Sequence, residues 1–233
     1  MSDKKTIFVA HDIEKAGTNL IAHPVISIGF FVGESDGTEL FSRKFNFRVA
    51  WPDGKGEMGD FEPRCWNEFW TDEKGDYRRE LVNPCLLDPT PQEPSVAWAE
   101  VKAFLDDLEE RFPEDQYKIK FVTDNASFDT ASIDYGLEKY CGRPPMRYSS
   151  SGKYRSVVAA DDMLDMLPIW ERTSVNREID QKAVHDHDPV HDAQYIYWQA
   201  VYAFEKISKA NKIFNAAESI VKAGLTLKNA LGF

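Results

Sequence analysis

Three groups of acidic residues stand out by type and spacing, and one of them is interleaved with histidines. The first is Asp12-Ile13-Glu14, at the end of a strand-like segment. Strand side chains alternate faces, so two carboxylates two residues apart point the same way and repel unless a cation lies between them. Hard divalent cations take oxygen ligands, which makes the pair a half-site for Mg²⁺ or Mn²⁺. For two such acids in isolation, a solvated strand end is the simpler reading. The second group is Thr123-Asp124-Asn125-Ala126-Ser127-Phe128-Asp129, where a strand turns into a helix. Open α/β sheets build sites at such turns. Asn125 or Ser127 is suited to cap that helix, and Asp129, four residues before Ile133, lies on or near its inward stripe. An acid in a first helical turn also has a purely structural use, because the helix dipole favours it.

The third group is His185-Asp186-His187-Asp188-Pro189-Val190-His191-Asp192. Asp188-Pro189 reads as a helix start, with aspartate as N-cap and proline at the first helical position. Asp192 then falls one turn into the helix and His187 just outside it. That arrangement can bring a metal-binding carboxylate and an imidazole to one site. The three histidines also raise a transition-metal site such as zinc. Against it, His187 and His191 are split across the helix start and the sequence places no cysteine nearby.

Positioning these groups requires a sheet with helices. The segments 6–13, 25–32 and 40–49 are rich in β-branched and aromatic residues and are separated by short turns, which predicts an antiparallel meander. Residues 50–94 shift to turns, charges and aromatics, with one short helix expected near Cys65–Trp70, and read as a surface insertion. From Ser95, Trp98, Val101, Leu105, Leu108 and Phe112 recur at helical spacing, with Asp106, Asp107, Glu109 and Glu110 on the solvated side. A strand over 117–123, a helix over 128–140, a short strand over 156–160 and a helix over 161–170 follow. After a polar loop, a long helix is expected from Pro189 to about Ser208, then a final amphipathic helix. Strands first, then strands alternating with helices, predict an α/β domain with a mixed five-stranded sheet flanked by helices. One domain is expected over 1–233, with 50–94 as its insertion and 209–233 as a C-terminal helical extension.

The acids in this order and these settings resemble the DEDDh (DnaQ-like) 3′–5′ exonuclease family of the ribonuclease-H-like superfamily. The resemblance rests on Asp12-x-Glu14, Asn125-x-x-Phe128-Asp129 and His187-x-x-x-x-Asp192, supported by Gly17, the HPVISIGFFV strand and the stretches NASFDTASIDY and HDAQ. It covers roughly residues 5–203, interrupted by the aromatic segment. Two features depart from the family: Lys15-Ala16 replaces a usual pair of threonines, and Asp124 stands where relatives often carry histidine. Asp124 is read as a turn acid, and Asp161 and Asp162 as structural. The resemblance implies a ribonuclease-H-like fold and two divalent cations, Mg²⁺ or Mn²⁺, held by Asp12, Glu14, Asp129 and Asp192. It also implies His187 as general base and release of nucleoside 5′-monophosphates from a 3′ end. Asn125, Phe128 and Lys15 are then expected beside the terminal nucleotide. Arg143, Arg147, Lys153 and Arg155, interleaved with Tyr148 and Tyr154, are candidates for gripping a single strand by charge and stacking; a solvated loop accounts for them as well.

Composition narrows the partners. The 233 residues carry 39 Asp plus Glu against 28 Lys plus Arg, a formal net charge of −11, which argues against a protein that coats long nucleic acids. It leaves room for an enzyme whose positive charge arrives as bound metal. No 18-residue apolar run and no signal-like N-terminus occur, so no membrane association is expected. Three scattered cysteines read as reduced thiols of a soluble intracellular protein, in cytoplasm or nucleoid/nucleus. The expected partner is single-stranded or 3′-end DNA or RNA. A proofreading role would require a separate polymerase, and a homodimer is the other assembly to test. A non-catalytic binding module of the same fold is the main alternative, although such a module has no need of four acids and a histidine.

Overall fold

The computed structural model describes residues 4–52, 57–76, 78–86, 89–143, 146, 149, 152 and 155–230, with side chains at all of these except 80, 211 and 213–230. Five strands form one mixed sheet: β1 (Lys5–Lys15), β2 (Val25–Glu34), β3 (Glu39–Asn46), β4 (Tyr117–Thr123) and β5 (Val157–Ala159). Their spatial order is β3-β2-β1-β4-β5, with the β1–β2–β3 half antiparallel and the β1–β4–β5 half parallel. This is the expected ribonuclease-H-like arrangement.

Alternation along β1 divides the core. Ile7, Val9 and Ile13 face α3 (Pro94–Arg111) and α4 (Asp129–Cys141). Phe8 and Ala10 face α5 (Ala160–Asp165), α6 (Ile169–Ile179) and α7 (Pro189–Ala230). Asp12 and Glu14 continue the second row, so strand period alone aims both carboxylates toward α7. The β1–β4 ladder runs only from Lys5↔Tyr117 to Ala10↔Val122, whereas β1 remains paired with β2 as far as Lys15. The last third of β1 therefore borders a gap where β4 has already turned toward α4.

Residues 50–94 contain more helix than expected. The short α1 (Pro63–Cys65) runs into a π-helical turn at Trp66–Trp70, and α2 spans Arg79–Leu86. Phe61, Trp70, Leu81, Val82 and Cys85 form a small core with Ala16, just past β1, and Ile26 of β2. Two differences lie further along. The helix expected over 161–170 ends before Pro168, which starts α6 as its N-cap, so part of the supposed polar loop is helical. Helix α7 is continuous to Ala230 where a break near Ser208 was expected; the joining residues Ser208-Lys209-Ala210-Asn211-Lys212 contain neither glycine nor proline to stop it.

Candidate active site

The three acidic groups converge at the end of β1. One carboxylate oxygen from each of Asp12, Glu14 and Asp192 lies within 4.8 Å of the other two, and the same holds for Asp12, Asp124 and Asp129. Asp12 is common to both sets. Glu14, Asp129 and Asp192 are buried and Asp12 is half-buried. The fold brings these groups together by three local devices. Asp129 opens α4, where its Oδ2 accepts from Thr123 Oγ1 at 2.5 Å and from Asn125 N at 3.3 Å. Asp192 lies in the first turn of α7, its Oδ1 accepting from the backbone N–H groups of Asp186 (3.0 Å) and His187 (3.3 Å). Gly29, opposite Asp12 on β2, lets α7 reach the sheet, because a Cβ at that position would stand 2.0 Å from the carbonyl oxygen of Pro189.

Burial raises the proton affinity of all four acids, and crowding of like charges adds to it at Asp12, Glu14 and Asp129. Burial pushes Asp12 and Glu14 well above the usual carboxylate range, and the neighbouring carboxylates push them further. Burial likewise lifts Asp129 to about 8. Asp192 is raised by burial, with His185 and His187 opposing the shift. An all-oxygen set that resists ionisation unless a cation is present fits a hard divalent ion. A second donor set lies beside it: His185, His187 and Asp192 also offer atoms within 4.8 Å of one another.

His187 sits in the turn before α7 with φ of 64°, the left-handed region that only a minority of non-glycine residues adopt. Asp188 caps α7 through Val190 N→Oδ1 (3.0 Å) and pairs through Oδ2 with Lys44 Nζ at 2.7 Å. His187 Nδ1 is 3.9 Å from Asp192 Oδ2, and His185 Nε2 is closer, at 3.5 Å.

The family of the 3′–5′ exoribonuclease Rv2179c-like domain matches residues 7–204, a span that contains every acid and histidine of the site. The chain belongs to this family. No individual protein of curated function matches it in sequence. Among solved structures, this Rv2179c-like domain is similar to Escherichia coli exonuclease I in complex with a dA16 oligonucleotide, at 11% identity and a TM-score of 0.50, over 86% of this chain and 40% of that one. It is also similar to the nuclease domain of 3′hExo, a DEDDh family member bound to rAMP, at 11% identity and a TM-score of 0.49, over 88% and 94% of the two chains. The chain thus spans about two fifths of the exonuclease I chain. The likeness to exonuclease I is one of fold, a mixed five-stranded sheet flanked by helices.

The remaining expected site residues divide in this Rv2179c-like domain. Lys15, buried on the α4 side of β1, has its Nζ 5.8 Å from the centre of the Phe128 ring, and burial lowers its pKa to about 8. It borders a cavity of about 320 Å³ lined also by Leu20, His23, Tyr135 and Lys139. Asn125 is exposed; its carbonyl accepts from Phe128 N and Asp129 N. Phe128 itself is the N-cap of α4 without a side-chain cap, so neither Asn125 nor Ser127 caps as expected; the Ser127 hydroxyl donates to Asn125 Oδ1 instead.

Arg143 and Arg155 require correction. Both are buried, at 5% and 7% exposure, and both pair with Glu109 at 3.0 Å. Arg143 also reaches Asp106 at 3.3 Å. Their charge is used inside the domain, against acids of α3 that read as a solvated face, and not on a strand. Arg147 and Lys153, with Tyr148 and Tyr154, lie outside the described residues. Sequence reasoning set aside Asp124, which joins the Asp12–Asp129 set, and passed over Gly29 and Lys44. The alternation of β2 and β3 carried a signal, since Gly29 and Lys44 are cross-strand neighbours in the row that begins at Asp12.

Proposed function

We propose that this chain is a metal-dependent 3′–5′ exonuclease acting on RNA and releasing nucleoside 5′-monophosphates. The observation that carries this reading is the sharing of Asp12 between two three-carboxylate sets. Asp12, Glu14 and Asp192 would hold one Mg²⁺ or Mn²⁺, and Asp12 with Asp124 and Asp129 a second. Bound in such a pair, divalent ions make water acidic enough to attack near neutral pH and stabilise charge on the attacking and departing oxygens.

The chain's own groups supply the rest. His187 accepts the proton of the attacking water, and Asp192 at 3.9 Å stabilises the imidazolium that forms. Thr123 and the Asn125 N–H fix the Asp129 carboxylate. Phe128 offers a ring to the terminal base, with Lys15 and Asn125 at the same edge. The family description supports RNA over DNA, and an RNA substrate removes the need for the polymerase partner that proofreading would require.

The His185–His187–Asp192 set supports a second outcome, in which zinc occupies these donors and withdraws His187 from proton transfer. Digestion of matched 5′-labelled RNA and DNA oligonucleotides separates the readings. A ladder of shortened RNA products with Mg²⁺ or Mn²⁺, suppressed by EDTA and by Zn²⁺, is expected. A single internal cut, or retention of intact RNA under all metals, would overturn the exonuclease reading.

A further inference from the structure

The aromatic segment at 50–94 reaches the site in one place. Phe69, in the π-helical turn Trp66–Trp70, packs edge-to-face against the imidazole of His187, with ring centroids 5.4 Å apart and an interplanar angle of 87°. Among the described residues no hydrogen bond holds the His187 ring; its neighbours are Phe69, His185 at 5.6 Å between centroids, and the Asp192 carboxylate. A ring on a backbone at φ 64° with no hydrogen bond has its direction set by packing. Phe69 is itself firmly placed. Its ring lies at 88° to that of Trp70, which is fully buried and donates from Nε1 to the carbonyl of Lys15 at 3.2 Å. Lys15 directly follows Glu14. A continuous chain of contacts thus runs from the metal-facing end of β1 through Trp70 and Phe69 to His187. Single π-helical turns occur frequently at functional sites.

We infer that Phe69 is a positioning residue for His187: the 50–94 segment references the imidazole to the end of β1 and so fixes the general base relative to the carboxylates. The inference rests on His187 being that base. Phe69 acts only through the imidazole, not on the carboxylates or the reacting atoms. Replacing it leaves the acids in place and frees the ring to rotate.

The test uses the full chain with Phe69→Ala, Phe69→Leu and Phe69→Tyr, each also combined with His187→Ala. Phe69→Leu retains apolar volume if Phe69→Ala unfolds, and Phe69→Tyr retains the ring. On a labelled RNA oligonucleotide with Mn²⁺, kcat is expected to fall about tenfold for Ala and Leu, with KM within about twofold, and to be largely restored by Tyr. In the His187→Ala background the same substitutions should cost nothing further, because the step they serve is gone. Ring-proton resonances of His187, followed by NMR with labelled histidine, should shift on loss of the Phe69 ring current. Wild-type kcat in both Phe69→Ala and Phe69→Leu would overturn the inference, as would an equal loss with and without His187. Full activity of His187→Ala would instead sink the general-base assignment, a result separate from any effect at Phe69.

Discussion

The two halves of the site are built in opposite ways. Asp12 and Glu14 stand on the central strand of the sheet, and Asp129 is fixed at the start of α4 by Thr123 and the Asn125 backbone. The places of Asp12 and Glu14 follow from strand period and register, and that of Asp129 from the turn into α4. His187 stands in a turn, at a left-handed backbone position, with its ring held by Phe69 from a distant part of the chain and by His185 and Asp192 beside it. The difference fits the roles proposed for them. Carboxylates that share cations must be held to a fraction of an ångström against their own repulsion, and regular structure does that. A proton acceptor must approach the site from outside, so it belongs on a connection that a scaffold restrains.

This contrast can be broken most directly at Asp12. Asp12→Ala removes a donor from both sets, so RNA digestion should fall by more than about 10³-fold. The rise in melting temperature on adding Mn²⁺ should disappear with it. His187→Ala should cost about 10²–10⁴-fold in kcat yet keep the full Mn²⁺-induced rise, because the carboxylates are untouched. If His187→Ala also abolished the metal response, the two halves would be one unit and the distinction would fail.

A smaller effect sharpens the carboxylate half. Asp12, Glu14, Asp129 and Asp192 bind protons more tightly in the folded chain than in the unfolded one, where carboxylates titrate near ~4. Below that value the four acids do not oppose folding. Stability is then lost as pH rises from ~4 through the Asp129 value of about 8. In EDTA the melting temperature should therefore be higher at pH 5.5 than at pH 8.5, and Mg²⁺ should restore most of the difference. A melting temperature that rises over this range without metal would contradict a crowded acidic cluster.

Much of the carboxylate half was legible in the sequence, because its determinants are local. Alternation placed Asp12 and Glu14 on one face, the apolar repeat of Trp98 to Leu108 marked α3, and Asp188-Pro189 marked the start of α7. What was not legible depends on residues far apart. Arg143 and Arg155 look like free cations until Asp106 and Glu109, more than thirty positions earlier, meet them across the α3–α4 packing. Asp106 and Glu109 read as solvated and Arg143 and Arg155 as strand-gripping for the same reason, each pair lacking the partner that the other supplies. Asp124 looks like a turn acid until the short β1–β4 ladder leaves room for it beside Asp12. The contact between Phe69 and His187 joins segments over a hundred residues apart, and no periodicity announces it.

The missing side chain at Gly29 also bears on how such sites are recognised. A pattern built from acids and histidine records only what is present, yet Asp192 meets Asp12 because a third position is empty. With a methyl group there, Pro189 and the start of α7 would have to lift from the sheet, carrying Asp192 away from partners whose own identities are unchanged. A sequence could then keep every residue that names the chemistry and still lack the site. The more discriminating signature joins Asp12 to the glycine that faces it across the ladder, a void counted on the same footing as a ligand.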